Sequence, residues 1–565
     1  MEKKIKIIID EQKILAREGQ SILEAALENN IDIPHLCYHP DLKVKANCRL
    51  CGVEIEGEKY VSMSCVTKVK EGMTIKTRSE RLDQARKINL ELIFGQHQLK
   101  CASCPLARNC DLLRMGRDYN AQITKFKNRK INRKIYQFWP IFFDGSKCID
   151  CRNCVEVCPV NYLEIKNKGP EIEIVPSGDK NKDCIYCGQC IVHCPVGSIE
   201  AETQFKLSKK NGEILVVQFA PSVRAAIGEE FGFASGEDMT EKMTAGLRKL
   251  GFDRIFDTSV GADLTTVIEA EELIERLQSG KGLPMFTSCC PAWVKFIEFY
   301  HPELIPNLTS ARSPHIMLGG IVKKYIANKE NIDIEKIIVV SVMPCTAKKF
   351  EADRKEMFHH QIKPVDYVIT TRELVSLFKK NKIDLKNIAS EQPDHPFGNY
   401  TGAAIIYGSS GGVMESALRT ASAILHHGQA SRCDYEEVRG LAGIKKAKVN
   451  IGGQELKVAV VNEIKNAKII LEEIKENHKA YDYVEFMACP GGCIGGGGQP
   501  IPVSEEIRKK RAAGLYDLDK GCDLRLSHKN PVVLEIQRNY SSEELKHLVH
   551  TVYSQKKKTK IKNLN

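Results

Sequence analysis

Two runs, CIDCRNCVEVCP (148–159) and CIYCGQCIVHCP (184–195), carry one cysteine spacing, C-x2-C-x2-C-x3-C, each closed by proline. Thiols set two and three residues apart are too close for separate places in an apolar core, and a repeat of the spacing doubles the constraint. Each run therefore has to bend tightly around a compact metal group.

This is the run of bacterial two-cluster ferredoxins, in which the fourth cysteine crosses to the other cluster. One 4Fe-4S cubane would take Cys148, Cys151, Cys154 and Cys194, and the second Cys158, Cys184, Cys187 and Cys190.

The 565-residue chain has 22 cysteines, fifteen of them between Cys37 and Cys194, so a cysteine-dense front precedes a larger back. Its length and 42% hydrophobic residues supply cores for three to five domains. The N-terminus MEKKIKIIIDEQK alternates Ile with Lys, and the longest apolar runs, such as IIVVSVM (337–343), are far too short to span a bilayer. We expect a soluble cytoplasmic chain whose reducing surroundings keep the cysteines as thiols. The net charge of +11 comes in part from 114–134 and the tail KKKTKIK (556–562). With few interleaved aromatics these segments suggest solvated surface or docking of an acidic protein, with no nucleic acid as partner. The region after 515 is uninformative beyond a basic end, which is expected to be disordered.

Residues 3–16 alternate as two short strands around the turn Asp10–Glu11, and Ser21, with Glu24 three residues on, caps a helix through Asn29. This start resembles a 2Fe-2S ferredoxin. Cys37, Cys48, Cys51 and Cys65 (C-x10-C-x2-C-x13-C) depart from the plant spacing C-x4-C-x2-C but keep its central C-x2-C. Zinc also suits four thiolates, as a staple only; the cluster spacings that follow favour iron-sulfur. His97, Cys101, Cys104 and Cys110 form an H-x3-C-x2-C-x5-C set in which imidazole replaces one thiolate. The front would then carry one 2Fe-2S cluster and three accessory 4Fe-4S clusters, one-electron carriers that make no bonds themselves.

In the back half, 214–220 (ILVVQFA), 283–286 (LPMF), 337–343 and 484–488 (VEFMA) predict buried, mostly parallel strands of an α/β domain. Cys289 and Cys290 follow the second run, Cys345 the third, and Cys489 and Cys493 the fourth, in loops where open α/β sheets gather ligands. Five thiols converge for the four positions of one cubane. The glycines of PGGCIGGGGQP would let backbone approach a bulky cofactor and take positive φ. GSSGGVME (408–415), between a strand-like AAIIY and a helix, lacks the G-K-[ST] ending of a phosphate loop, which excludes nucleotide hydrolysis. Cys433 and Cys522 stand alone, as small buried side chains do.

TSCCPAW, MPCTAKKFE and EFMACPGGCIGGGGQP are similar to the three signatures of the iron-only (FeFe) hydrogenases, and the domain order resembles the long clostridial type. The resemblance implies interconversion of protons and electrons with H2 at an H-cluster, a 4Fe-4S cubane joined to a 2Fe subcluster with CO, CN and a dithiolate amine bridge. Carried over by motif, the cubane ligands are Cys290, Cys345, Cys489 and Cys493, with Cys493 the bridge, and Cys289 is the proton donor to the bridgehead amine. Lys348 would hold a cyanide and, as a buried cation, makes sense only beside an anionic ligand, whereas Lys349 suits the surface. Pro221 and Ser222 match another cyanide-contacting loop, Met343 and Met487 would flank the 2Fe subcluster, and Ser313 and Tyr407 complete the cofactor pocket.

VIEAEELIERLQSG (267–280) predicts a helix with Glu269, Glu272 and Arg276 on one face. By themselves they suggest a solvated face with a Glu272–Arg276 pair. The resemblance instead implies a proton path: Cys289, a water, Glu269, the Thr309 hydroxyl, Glu272, and the surface near Arg276. Thr309 stands where the family has serine, Ala292 where it has glycine, and His315 where it has glutamine.

The expected architecture is an α/β multi-domain chain. A β-grasp 2Fe-2S ferredoxin-like domain (1–80) comes first, then a small 4Fe-4S domain with one histidine and three cysteine ligands (81–125), then a two-cluster ferredoxin-like domain (126–209). An α/β H-cluster domain with mostly parallel sheets (210–515) and its C-terminal extension (516–565) follow. The expected partners are ferredoxin or flavodoxin and maturation proteins for the 2Fe subcluster. A non-catalytic electron-wiring subunit shares the front but lacks the three loops, assembly relatives lack an intact TSCC, and hydrogen-sensing relatives alter the relay cysteine.

Overall fold

In the computed structural model of the chain, which describes residues 3–564 except 105, 107–109, 128–132, 168–171, 203, 211 and 427–431, the front opens as the alternation predicts. Strands Lys4–Ile9 and Gln12–Arg17 pair antiparallel across a turn in which Asp10 and Glu11 take positive φ. Helix Ile22–Glu28 follows, closed by a reciprocal box: Glu24 N–H donates to Ser21 Oγ (3.2 Å) and Ser21 N–H to Glu24 Oε2 (2.8 Å). Three further strands complete a mixed five-stranded sheet, with Thr74–Lys76 parallel to Lys4–Ile9.

The strands of the back half separate into two sheets. Arg254–Asp257, Ile214–Phe219, Ile337–Met343 and Tyr367–Thr370 lie side by side in that order, all parallel. Met285–Phe286, Tyr483–Met487 and Gln454–Asn462 form a second parallel set, extended by the antiparallel edge strand Ile444–Ile451. Continuous Val and Ile runs match strands covered on both faces: every residue of Ile337–Met343 but Ile338 is buried. One apolar cluster joins the second sheet to the two-cluster segment, with Phe138, Phe143, Tyr162 and Ile191 in the same core as Trp293, Phe296 and Phe486. The cysteine-dense front is thereby held against the sheet that bears two of the cysteine loops.

Three expectations change. AAIIY (403–407) is helical, Gly402–Ile405 running into a 3-10 turn, because a short buried apolar run carries no periodicity to separate helix from strand. The helix predicted from 267 begins at Ser259; its first turns, SVGADLTT, are buried all round and so show no amphipathic face. The end after 515 is folded among the described residues: helices Pro531–Asn539 and Ser542–Val549 pack on the first sheet's core, and Lys562–Leu564 pairs with Ile135–Phe138. Lys558 donates to the carbonyls of Ser177 (2.9 Å) and Asp179 (2.6 Å), so this lysine ties the tail down. Of the basic run 114–134, residues 128–132 lie outside the described residues.

Candidate active site

Four groups of thiols in the front gather as sets. Backbone N–H groups of Asn47 and Cys48 donate to Cys37 Sγ, both at 3.3 Å. The hydrogen-bonded Cys37 thiol lowers Cys48, the Cys65 thiol lowers Cys51, and Cys37 and Cys48 in turn raise Cys65, so the four sulfurs share one locus. His97 lines a cavity with Cys101, Cys104 and Cys110. Its Nδ1–H donates to the Lys147 carbonyl (2.7 Å), and burial keeps the imidazole neutral, leaving Nε2 with a lone pair for a metal. Cys148, Cys151, Cys154 and Cys194 line one further cavity, and Cys158, Cys184, Cys187 and Cys190 another.

The cysteine loops of the back half meet although their strands belong to different sheets. Thr287 N–H extends the second sheet to Val484 O (3.1 Å), and Pro291 then starts helix Pro291–Tyr300 with Cys290 at its N-cap. Trp293 anchors this helix, fully buried and stacked on Phe486 with ring centroids 3.8 Å apart, a contact worth about 0.5–1.5 kcal/mol beyond its area. Cys345 arrives from the first sheet, after Ile337–Met343, and Cys489 and Cys493 from the second, after Tyr483–Met487. Burial pushes all four thiols, Cys290, Cys345, Cys489 and Cys493, above the usual range, and Cys290 and Cys345 raise Cys489 and Cys493 further. Four thiols desolvated in this way and gathered by three loops suit a metal that takes them as thiolates.

Beside them Cys289, Cys345, Cys493, Lys348, Met343 and Met487 line one cavity, with Pro221, Ser222, His315 and Tyr407 on the same wall. Two buried polar atoms of this wall, Ser222 Oγ and His315 Nδ1, have no hydrogen-bond partner. Lys348 donates to the Cys289 carbonyl (3.0 Å) and to Glu351 Oε2 (2.7 Å). Its buried charge thus has a carboxylate from the protein itself, where an anionic ligand alone was expected. Glu351 Oε2 also accepts from His315 Nε2 (2.7 Å) and Ser313 Oγ (2.9 Å), so Ser313 supports the lysine's partner and is not on the cavity wall. Lys349, expected at the surface, is buried and donates to Val368 O (2.8 Å) and Glu373 (3.0 Å).

Glu269 is fully buried in helix Ser259–Ser279; its Oε1 accepts from Tyr483 (2.8 Å) while Oε2 has no partner. Burial pushes its carboxyl up to about 8, and it also lifts the Cys289 thiol well above its ordinary value. One turn on, Glu272 Oε2 accepts from Thr309 Oγ1 (2.7 Å), and Arg276 pairs with its other oxygen. Arg276 is pinned by the carbonyls of Gly282 (2.7 Å) and Leu308 (2.8 Å).

Residues 213–497 match the family described as iron only hydrogenase large subunit, C-terminal domain, and residues 505–556 match iron hydrogenase small subunit. Iron hydrogenase 1 of Clostridium pasteurianum is 39% identical over 553 residues, 94% of this chain and 96% of that protein. The chain belongs to the iron-only hydrogenases. The NADP-reducing hydrogenase subunit HndD of Solidesulfovibrio fructosivorans is likewise 39% identical, over 97% of this chain and 98% of its own. The structure of the [FeFe]-hydrogenase HydA1 from Chlamydomonas reinhardtii, 38% identical, covers 62% of this chain and 97% of that one with a TM-score of 0.55. Residues 2–80 match a 2Fe-2S cluster binding domain and 147–198 a 4Fe-4S dicluster domain. This hydrogenase is therefore an FeFe oxidoreductase with ferredoxin-like iron-sulfur domains ahead of a mixed α/β catalytic domain, and no described helix is long and apolar enough to cross a membrane.

The residues of the hydrogenase fit the family's H-cluster: four thiols from three loops for a cubane, and beside them a cavity whose wall carries an ammonium, two methionines and an unpartnered hydroxyl. Sequence reading passed over Tyr483, Glu351 and Ser310, which bond Glu269, Lys348 and Glu272. Glu351 follows Lys348 at i+3 on helix Ala347–Ala352, a spacing that signals an ion pair; Tyr483 and Ser310 carry no local signal.

The glycine run has a second reason besides cofactor approach. A Cβ at Gly497 would sit 2.4 Å from Cys187 O and 2.5 Å from Gly188 Cα, so backbone meets backbone where the two-cluster segment touches the catalytic loop. Gly497→Ala is expected to force that contact apart, costing about 1–3 kcal/mol. It should also slow reduction of the catalytic centre through the accessory clusters more than reduction by a small mediator. Unfolding midpoints and stopped-flow reduction measure the two effects; unchanged values for both would remove this role of the glycine.

Proposed function

We propose that this hydrogenase interconverts two protons and two electrons with H2, exchanging electrons with ferredoxin or flavodoxin in the cytoplasm. The observation that carries the reading is one cavity lined by Cys289, Cys345 and Cys493 from three loops and by Lys348, whose ammonium pairs with Glu351. When bound, the H-cluster supplies the redox iron and the open coordination position at which H2 is formed or split. Cys290, Cys345, Cys489 and Cys493 would hold its cubane, with Cys493 the bridge to the 2Fe subcluster; Ser222, Lys348, Pro221, Met343, Met487 and Tyr407 would surround the latter. Maturation proteins would insert that subcluster.

Cys289, kept a neutral thiol by burial, suits taking and returning one proton. Glu269, poised near neutrality, would exchange it with the Thr309 hydroxyl and Glu272, which Arg276 holds in place. Electrons would pass from the 2Fe-2S set (Cys37, Cys48, Cys51, Cys65) and the His97–Cys101–Cys104–Cys110 set through the two cubane sets. The Cys187 carbonyl packs against Gly497 of the catalytic loop, which favours the Cys187 cluster as the last donor. The division at 80, 125, 209 and 515, with a β-grasp first domain, follows the cysteine sets and remains our proposal.

Cys289→Ser is expected to leave cluster absorbance and insertion intact and to cut H2 evolution from reduced methyl viologen by about 10²-fold or more. Turnover close to the parent's would take Cys289 out of the proton path. A second reading comes from HndD, whose name makes it a subunit of an NADP-reducing hydrogenase. H2 production by the isolated chain from reduced ferredoxin favours the first reading; a requirement for a co-purifying nucleotide-binding subunit favours the second.

A further inference from the structure

The outer end of the proton line is unfinished if it stops at Arg276. A guanidinium stays protonated at any working pH, and this one is spent on Glu272 and on backbone carbonyls, so it cannot hand protons on. Among the described residues one further side chain, besides Thr309 and Arg276, bonds Glu272. Its Oε2 accepts from the Ser310 hydroxyl (2.9 Å), and Ser310 Oγ lies 2.8 Å from Nδ1 of His550. His550 belongs to the C-terminal extension and is partly exposed.

Backbone bonds fix this meeting point. Arg312 N–H donates to Val549 O (2.7 Å), Thr551 N–H to Ser310 O (2.8 Å), and Arg312 Nε–H to His550 O (2.8 Å), which zips 310–312 to 549–551. The direction of the side-chain bonds follows from their chemistry. Ser310 has a single hydroxyl proton, which it gives to the carboxylate; the contact with His550 then needs Nδ1–H as donor, and Nε2 keeps its lone pair.

We propose that His550 is the proton-entry residue of this hydrogenase, taking protons from solvent and passing them through the Ser310 hydroxyl to Glu272. The proposal rests on the reading that Glu272 belongs to the proton path. A proton bound at Nε2 makes the imidazolium; its Nδ1 proton moves to Ser310 Oγ as the hydroxyl proton moves to Glu272. One proton enters and one leaves, the imidazole is again neutral, and no electron changes hands. Rotation of the hydroxyl and solvent exchange at the ring restore the first tautomer, and H2 oxidation runs the same steps outward.

Charges on three elements act on the ring: Glu272 from helix Ser259–Ser279 favours the imidazolium, while Lys546 from its own helix and Arg312 from the facing loop oppose it. With burial the leading cause, the balance lies below the ordinary histidine value and leaves the neutral ring ready to accept a proton.

The test uses the matured holoenzyme and the variants His550→Ala, Ser310→Ala and Glu272→Gln. His550→Ala is expected to lower H2 evolution about tenfold, more at alkaline than at acidic pH, and added imidazole is expected to restore it. Ser310→Ala should show the same loss without rescue. Carbethoxylation of His550, followed by peptide mass spectrometry against pH, should report a lower apparent pKa in Glu272→Gln, because the anion that favours its protonation is gone. If His550→Ala and Ser310→Ala keep turnover within about twofold of the parent at every pH while Glu272→Gln is inactive, the entry role is overturned and the path stands. A uniform loss in His550→Ala that imidazole does not restore, or an unshifted carbethoxylation profile, also overturns it. Full activity in Glu272→Gln removes the path and this proposal together.

Discussion

Glu269→Gln is expected to lose about 10²–10⁴-fold of H2 turnover and, at and above pH 8, to be more stable than the parent. The two effects share one cause. Glu269 is fully buried, its Oε2 has no partner, and burial raises its carboxyl from 4.5 to about 8. A raised folded-state value means that the folded protein binds the extra proton between pH 4.5 and 8. Stability therefore falls as pH rises through that window and levels off above it, by about 5 kcal/mol at the upper bound. Glutamine keeps the hydrogen-bonding shape without the charge, so the loss disappears, but it cannot relay a proton. Viologen-driven H2 evolution and urea midpoints across pH measure the pair of effects. Retained turnover would remove Glu269 from the path, and parallel stability curves for parent and variant would refute its raised value.

Glu351→Gln is expected to cost about 3–5 kcal/mol, the penalty of leaving the buried Lys348 ammonium without its counter-charge. Burial opposes ionisation of Glu351, yet the Lys348 ammonium and the His315 hydrogen bond overcome it and hold the carboxyl at about 2. Because this value is depressed, the contribution is fully present above pH 4.5 and is lost as pH falls toward 2. His315, held to about 4 by burial and Lys348, is neutral at working pH; its Nε2–H serves Glu351 and its Nδ1 faces no protein partner. The double variant Lys348→Met, Glu351→Leu removes both charges and should recover most of the stability while losing activity. Thermal unfolding of both variants decides; a single variant as stable as the parent would show that Lys348 does not depend on Glu351.

Much of the fold and of the site was legible because ligand spacing is local. The sets Cys148 to Cys158 and Cys184 to Cys194 must bend around a compact group wherever they lie, and the capping box at Ser21 and Glu24 reads at three-residue range. Reading failed where burial erased periodicity, in the first turns of helix Ser259–Ser279 and in AAIIY, and where charge was taken for exposure, as at Lys349 and the C-terminal tail. A buried lysine and a solvated one look alike in a sequence; only the carboxylate or carbonyl that meets it separates them.

The sequence by itself determined the chemistry available to this hydrogenase: which thiols come in sets, and that five rather than four approach the catalytic centre. Tertiary structure alone decided what those groups touch. Two separate sheets bring Cys345 to Cys489, the 310 and 550 segments zip together, and Tyr483 reaches Glu269 across 214 residues of chain. The reason is physical: cluster spacing is imposed within a few residues by bond lengths, whereas proton affinity depends on burial and on partners that only chain folding brings within hydrogen-bond reach.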